Sequence, residues 1–193
     1  MTDEAAPNRL TRITTRAGDG GRTRLANGTD LAKDDAQIEA LGDLDELNAC
    51  CGLLRAALPP DHPLRSAIED VQQRLFDLGG QLAMGRSVVL GAEAVARLDA
   101  GSAALNDALP PLTSFVVPGA NEAEARAHLC RTVARRAERR VVALAARGEV
   151  DADALRYLNR LSDYFFNVAR SLGRTGDAPE TLWAPHRRTD EPS

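Results

Sequence analysis

DDAQIEALGDLDELNACCGLLRAALPP, residues 34–60, is the stretch that decides the fold. Its apolar residues fall at Ile38, Leu41, Leu44, Leu47, Cys51, Leu54 and Leu58, steps of three and four that place them on one face of a helix. Asp34-Asp35 supplies a start signal and Pro59-Pro60 a stop. Reading outward, the same pattern returns from about Pro63 to Met84, with Leu64, Ile68, Val71, Leu75, Leu78 and Leu82 on one stripe until Gly85 breaks it. A third helix is expected over about 92–109, before Pro110-Pro111. A fourth starts at Asn121 or the preceding Pro-Gly turn and runs to about Arg147, and a fifth is capped by Asp151 and ends near Gly173. Short links between long helices favour antiparallel neighbours, so the expected fold is all-α, a five-helix up-and-down bundle. Two segments stand outside it. Residues 11–28, TRITTRAGDGGRTRLANG, are Gly/Arg-rich without helical period and read as an irregular loop; residues 174–193 read as an irregular tail. With no internal repeat or interior linker, 1–193 is read as one domain: loop 1–30, bundle 31–173, tail 174–193.

Composition supports this reading. The 193 residues are 44% hydrophobic but only 4% aromatic, which favours helix formers over strand formers. A net charge of −4 and the lack of aromatic residues between the basic ones argue against nucleic acid as a partner. No run reaches the length of a membrane span, and the N-terminus lacks the order of a secretory signal, so the cytoplasm is the default compartment. The three cysteines, Cys50, Cys51 and Cys130, are odd in number and read as small core residues. His128 and Cys130 are read as structural, and the three histidines have no zinc-ligand spacing.

Three constellations can carry chemistry. On the fourth helix Arg131, Arg135, Glu138 and Arg139 recur on a face apart from the apolar stripe Leu129, Val133, Ala137, Val141 and Leu144. A solvated face is the ordinary explanation of such a stripe. Arginine outnumbers acid on this helix, however, and surplus planar guanidinium forks suit an oligophosphate. In GDLDELN, residues 42–48, Asp45 lies beside the leucine stripe, where a carboxylate calls for an arginine from another helix or subunit. In YLNRLSDYFF, residues 157–166, Asn159, Asp163 and Phe166 share a face; the Asn159 amide can satisfy a core contact or read a nucleotide. TRAGDGGRT, residues 15–23, has the composition of a phosphate cradle but not the P-loop pattern, and such a run is more often a plain turn. Lys33 is the chain's single lysine.

Together, TRAGDGGRT, the KDD of residues 33–35, GDLDELN, LFDLG (75–79), SFVVPG (114–119), RTVARRAERR (131–140), YLNRLSDYFF and the terminal APETLW resemble the PduO-type ATP:cob(I)alamin adenosyltransferases, over nearly the whole chain. The resemblance implies a homotrimer with sites between subunits, in which cob(I)alamin attacks the 5′-carbon of ATP, releasing triphosphate and forming adenosylcobalamin. It assigns Thr15, Arg16, Ala17, Gly18, Thr23, Arg24 and Lys33 to the ATP phosphates. Arg135, Arg136, Ala137, Glu138, Arg139 and Asn159 would come from the neighbouring subunit. It pairs Arg131 with Asp45 across the interface and puts Phe115 and Phe166 on the corrinoid side. Arg135, Arg131, Asp45 and Phe115 are thus the residues expected to carry the reaction, with Mg²⁺ accompanying ATP on ligands the sequence leaves open. A reductase and a B12-dependent mutase are the implied partners. Ala17, Gly20, Ala36 and Ala120 depart from the usual family pattern. The alternative is a non-catalytic trimer that binds ATP or adenosylcobalamin and delivers cofactor to a mutase.

Overall fold

The computed structural model describes residues 14, 16, 18–85, 90–148, 150–174 and 179–184. Five helices dominate: α1 (Ala36–Ala57), α2 (Leu64–Met84), α3 (Ala92–Asp107), α4 (Glu122–Ala145) and α5 (Ala152–Gly173). Their ends follow local chemistry. The Asp35 carboxylate accepts from Gln37 N at 2.8 Å, Asn121 Oδ1 from Glu124 N at 2.9 Å and the Asp151 carboxylate from Asp153 N at 2.7 Å, each satisfying a backbone donor that the first turn leaves over. Gly85, at φ +61°, closes α2 in the left-handed conformation that glycine adopts without penalty.

Cross-helix contacts fix the directions. Gln37 reaches Leu82 while Asn48 exchanges hydrogen bonds with Gln72, so α1 and α2 are antiparallel. Glu39 pairs with Arg140 and Leu53 O accepts from Arg126, so α1 and α4 are antiparallel too. Asn159 meets Glu138 and Asn121 meets Leu172, which makes α4 and α5 antiparallel. Asp99 with Arg160 and Ser102 with Asn167 run α3 parallel to α5. Direction therefore alternates along the chain, as expected, but the order in space is α2-α1-α4-α5-α3. Residues 108–121 provide the length that lets the chain pass from α3 at one edge to α4 inside the bundle.

The core runs through this layer from Ile68 and Leu78 on α2, Leu47 and Leu54 on α1, Ala137 and Val141 on α4, to Leu158, Leu161 and Phe165 on α5, all fully buried. The three cysteines are buried and unbridged. Among the described residues no helix is long and apolar enough to cross a membrane.

Three expectations need correction. The Gly/Arg-rich segment is not wholly irregular: β1 (Arg22–Arg24) and β2 (Asp30–Ala32) form an antiparallel hairpin. Arg22 Nε donates to Asp30 Oδ2 at 2.7 Å, Leu25 is buried beneath, and Gly28 at φ +90° turns the chain. Leu129 is 45% exposed; the buried stripe of α4 uses Ala127, Cys130 and Ala134 instead. Phe115 and Val117, on the connector between α3 and α4, are exposed. Asp45 is exposed as well, so within one chain its carboxylate is solvated and requires no partner.

Candidate functional site

The fourth helix divides its arginines between two tasks. Arg136 pairs with Asp43 and Glu46, and Arg140 with Glu39 and Asp43, all on α1. These partners sit at i, i+4 and i+7 on α1, an acidic stripe facing α4. Sequence reasoning missed this neutralisation because it weighed α4 by itself. Mostly exposed, such pairs add little stability each, but they fix which face of α4 turns to α1.

On the other side, Arg131 and Arg135 form no ion pair among the described residues. They line a cleft of about 350 Å³ with Asn106 of α3, Leu112 of the connector, and Ser162, Asp163, Phe166, Asn167 and Arg170 of α5. One turn separates Arg131 from Arg135, and Asp163, Phe166 and Arg170 are likewise spaced by three and four, so two helical faces converge on one groove. Burial and, after it, the neighbouring guanidinium of Arg135 pull the Arg131 pKa down. Arg139 Nη1 donates to Arg135 O at 3.1 Å. Asn159 bridges Glu138 (2.9 Å) and Arg160 (2.9 Å) beside the groove. Ala137 is fully buried, so its methyl cannot reach a ligand.

Beside the end of the groove near α3 the connector and the tail form a strap. Ser114 Oγ donates to Trp183 O at 2.9 Å, Trp183 N to Phe115 O at 2.7 Å and Val117 N to Thr181 O at 2.8 Å, tying the connector to the tail. The Phe115 ring meets Trp183 edge-on at 6.1 Å yet remains 78% exposed. Beneath, Arg170 makes two 2.8 Å hydrogen bonds to the Glu180 carboxylate and a third to Pro110 O; both partners of this ion pair are buried. Arg170 and Glu180 escaped the sequence reading, although an arginine among Val168, Ala169 and Leu172 was a visible irregularity in an apolar stripe.

The remaining residues lie elsewhere on the chain. Asp45 lines a separate groove between α1 and α2 with Leu41, Asn48, Phe76, Gly79 and Gly80. The hairpin abuts the end of α2, where a Cβ on Gly85 would lie 3.9 Å from Asn27 Nδ2. Lys33 folds back on the loop: its N–H donates to Gly21 O at 2.9 Å, and a Cβ on Gly18 would come within 2.9 Å of Lys33 Nζ, so only glycine admits the ammonium this close. Arg16 has φ +58°, Thr23 stands opposite Leu31, and Arg24 opposite Asp30. Thr15 and Ala17 lie outside the described residues. In one chain, then, the groove gathers Arg131, Arg135 and Phe166, while Asp45 and the Lys33 loop belong to other surfaces. Among the described residues no cluster of three His, Cys, Asp or Glu side chains offers a metal cage.

Fold and groove together define an α-helical protein with a two-arginine groove between α4 and α5. The family model for cobalamin adenosyltransferase matches residues 13–172, and the chain belongs to that family. It is 45% identical over 184 residues to a cobalamin adenosyltransferase of Cupriavidus metallidurans, covering 94% of this chain and 99% of the relative. It is 42% identical to a corrinoid adenosyltransferase of Bacillus subtilis, covering 82% and 85%. A solved phenylalanine-to-alanine variant of a PduO-type ATP:corrinoid adenosyltransferase from Lactobacillus reuteri, complexed with cobalamin and ATP, superposes with a TM-score of 0.83 at 30% identity, covering 90% of this chain and all of that one.

Proposed function

We infer that the chain is an ATP:cob(I)alamin adenosyltransferase whose site is shared between subunits of a homotrimer. The observation that carries the shared site is the division above. The guanidinium pair Arg131 and Arg135 has no carboxylate partner among the described residues, and the exposed Asp45 and the Lys33–Gly18 loop sit on different surfaces. A second copy brings one set to the other, with Asp45 meeting Arg131 and the loop meeting Arg135.

Cob(I)alamin is itself a strong nucleophile, so the protein need not supply a base. The cobalt electron pair forms the Co–C bond to C5′ of ATP, the C5′–O bond breaks, and triphosphate leaves with the electron pair of that C–O bond. Arg135, Arg139, Lys33 and the backbone of the Gly18 turn hold the phosphates and meet the charge growing on the departing group. Glu138 and Asn159 flank the nucleoside, and Phe115 and Phe166 present apolar surface to the corrinoid. Mg²⁺ accompanying ATP would help neutralise the phosphates, held largely by their oxygens and water. The assignment to the cytoplasm rests on the sequence, and a reductase and a mutase stand upstream and downstream by the chemistry of Co(I) and of the product.

The test is an anaerobic reaction with ATP and cob(I)alamin, followed by the spectrum of the Co–C bond and release of inorganic triphosphate. Stoichiometric binding of ATP without turnover would establish the carrier alternative instead.

A further inference from the structure

His128 lies on α4 one turn before Arg131 and is 4% exposed. Arg131 Nε donates to His128 Nδ1 at 3.3 Å. An arginine Nε always carries its proton, so Nδ1 must offer a lone pair, and the imidazole is neutral with its proton on Nε2. Nε2 lies 3.1 Å from Glu124 Oε1, close though off the line of an ideal hydrogen bond. The other carboxylate oxygen, Oε2, accepts from Gly119 N at 2.8 Å and Ala120 N at 3.1 Å, the turn that ends the Phe115 connector. The Phe166 ring packs edge-on against the imidazole at 6.1 Å. Glu124 is itself fully buried, so each contact is made in a poorly solvated setting, where an unmet partner is costly.

We propose that His128 is a positioning residue for the adenosyl transfer: it ties back the Nε edge of Arg131, leaving the two terminal nitrogens for a bidentate carboxylate or phosphate in the groove. Through Glu124 the same imidazole joins that guanidinium to the Gly119–Ala120 turn, so the anion-holding and corrinoid-facing parts of the site share one buried support. This rests on the placement of Arg131 in the shared site. Protonating Nδ1 would put two donors face to face and release Arg131. The groups that bear on this are Glu124 and Arg131 on α4, Phe166 on α5, and Glu180 of the tail, itself paired with Arg170. Burial first, and Arg131 after it, hold the imidazole pKa below its ordinary value, against the opposing pull of Glu124 and Glu180. The neutral form thus persists through the neutral range and is lost only on acidification.

His128→Leu removes the acceptor and is expected to lower kcat/KM for ATP on the order of ten-fold, the size of a lost hydrogen bond to a charged group. His128→Asn, whose Oδ1 can replace Nδ1, is expected to restore it to within a few fold and to lack the acid limb that kcat/KM of the wild type shows where His128 titrates. Nitrogen-15 spectra of histidine-labelled wild type should show the neutral Nε2–H tautomer at pH 7, a reading independent of whether His128→Leu folds. Wild-type kinetics in a folded His128→Leu, an Nδ1–H tautomer, or an imidazolium at pH 7 would each overturn the proposal. Arg131→Ala measured in parallel separates the two layers: if it is fully active, the placement of Arg131 fails, whereas if it is impaired and His128→Leu is not, only the role of His128 fails.

Discussion

At Arg135 a planar fork stands exposed beside Phe166 with no carboxylate among the described residues to hold it, while Arg136, the next residue, is bound by two acids of α1. One residue of helical rotation separates a ligand-facing side chain from a structural one. Arg135→Lys keeps the charge and loses the bidentate geometry, so kcat is expected to fall about ten-fold or more. Arg147→Lys, on the exposed end beyond α4, should leave it within two-fold by steady-state assay. Equal, negligible effects would make the stripe a solvated face. Phe115 poses a different question, because a ring 78% exposed adds little to the stability of its own chain. If its work is to keep a lower axial ligand off cobalt, Phe115→Ala should leave ATP affinity within a few fold and sharply reduce adenosylation that starts from Co(II) with a reductant. The deficit should shrink with prepared Co(I), which needs no help with reduction. Full Co(II)-dependent activity in the variant would leave Phe115 only packing against Trp183.

Between elements, the strap beside the α4–α5 groove depends on one buried ion pair. Removing one partner of such a pair leaves the other buried without compensation, at about 3–5 kcal/mol. Glu180→Ala should therefore free residues 179–184 from Arg170. Trp183, the chain's single tryptophan and already half-exposed, reports it through its remaining contact with Phe115: its accessibility to quenchers should rise further well below the unfolding temperature. Unchanged quenching would mean that the backbone bridge between Val116 and Leu182 suffices. This clamp was invisible to pattern reading because it joins Pro110, Arg170 and Glu180 across distant parts of the chain. What the sequence did make legible was local: start signals at Asp34-Asp35, Asn121 and Asp151, the glycine stop at Gly85, and the apolar periods of α1 and α2 and, apart from Leu129, of α4. Spatial order was not legible. Nothing in the period of α1 says that its acidic residues Glu39, Asp43 and Glu46 meet α4, and so the surplus of arginine on α4 looked larger than it is. Likewise His128 read as a core residue, since only the fold shows Arg131 donating to it.

For the whole molecule the decisive question is whether one chain can hold a complete site. Asp45 and Lys33 lie away from the groove that contains Arg131 and Arg135, so in the proposed trimer each chain would contribute two half-sites. Sedimentation is expected to give about three times the 20.7 kDa chain mass. Complementation tests the sharing itself. Lys33→Ala damages the loop half and Arg135→Ala the groove half, so each homotrimer should be nearly inactive. When the two chains are co-expressed and assemble at random, a site drawing one half from each of two neighbours is intact in both halves about a quarter of the time. Activity of the mixed trimer should therefore recover to roughly a quarter of wild type, whereas two trimers mixed after assembly, without exchange, should recover nothing. If both halves came from one chain, every site would carry one lesion and co-expression would restore no activity, a result that would confine catalysis to the single subunit.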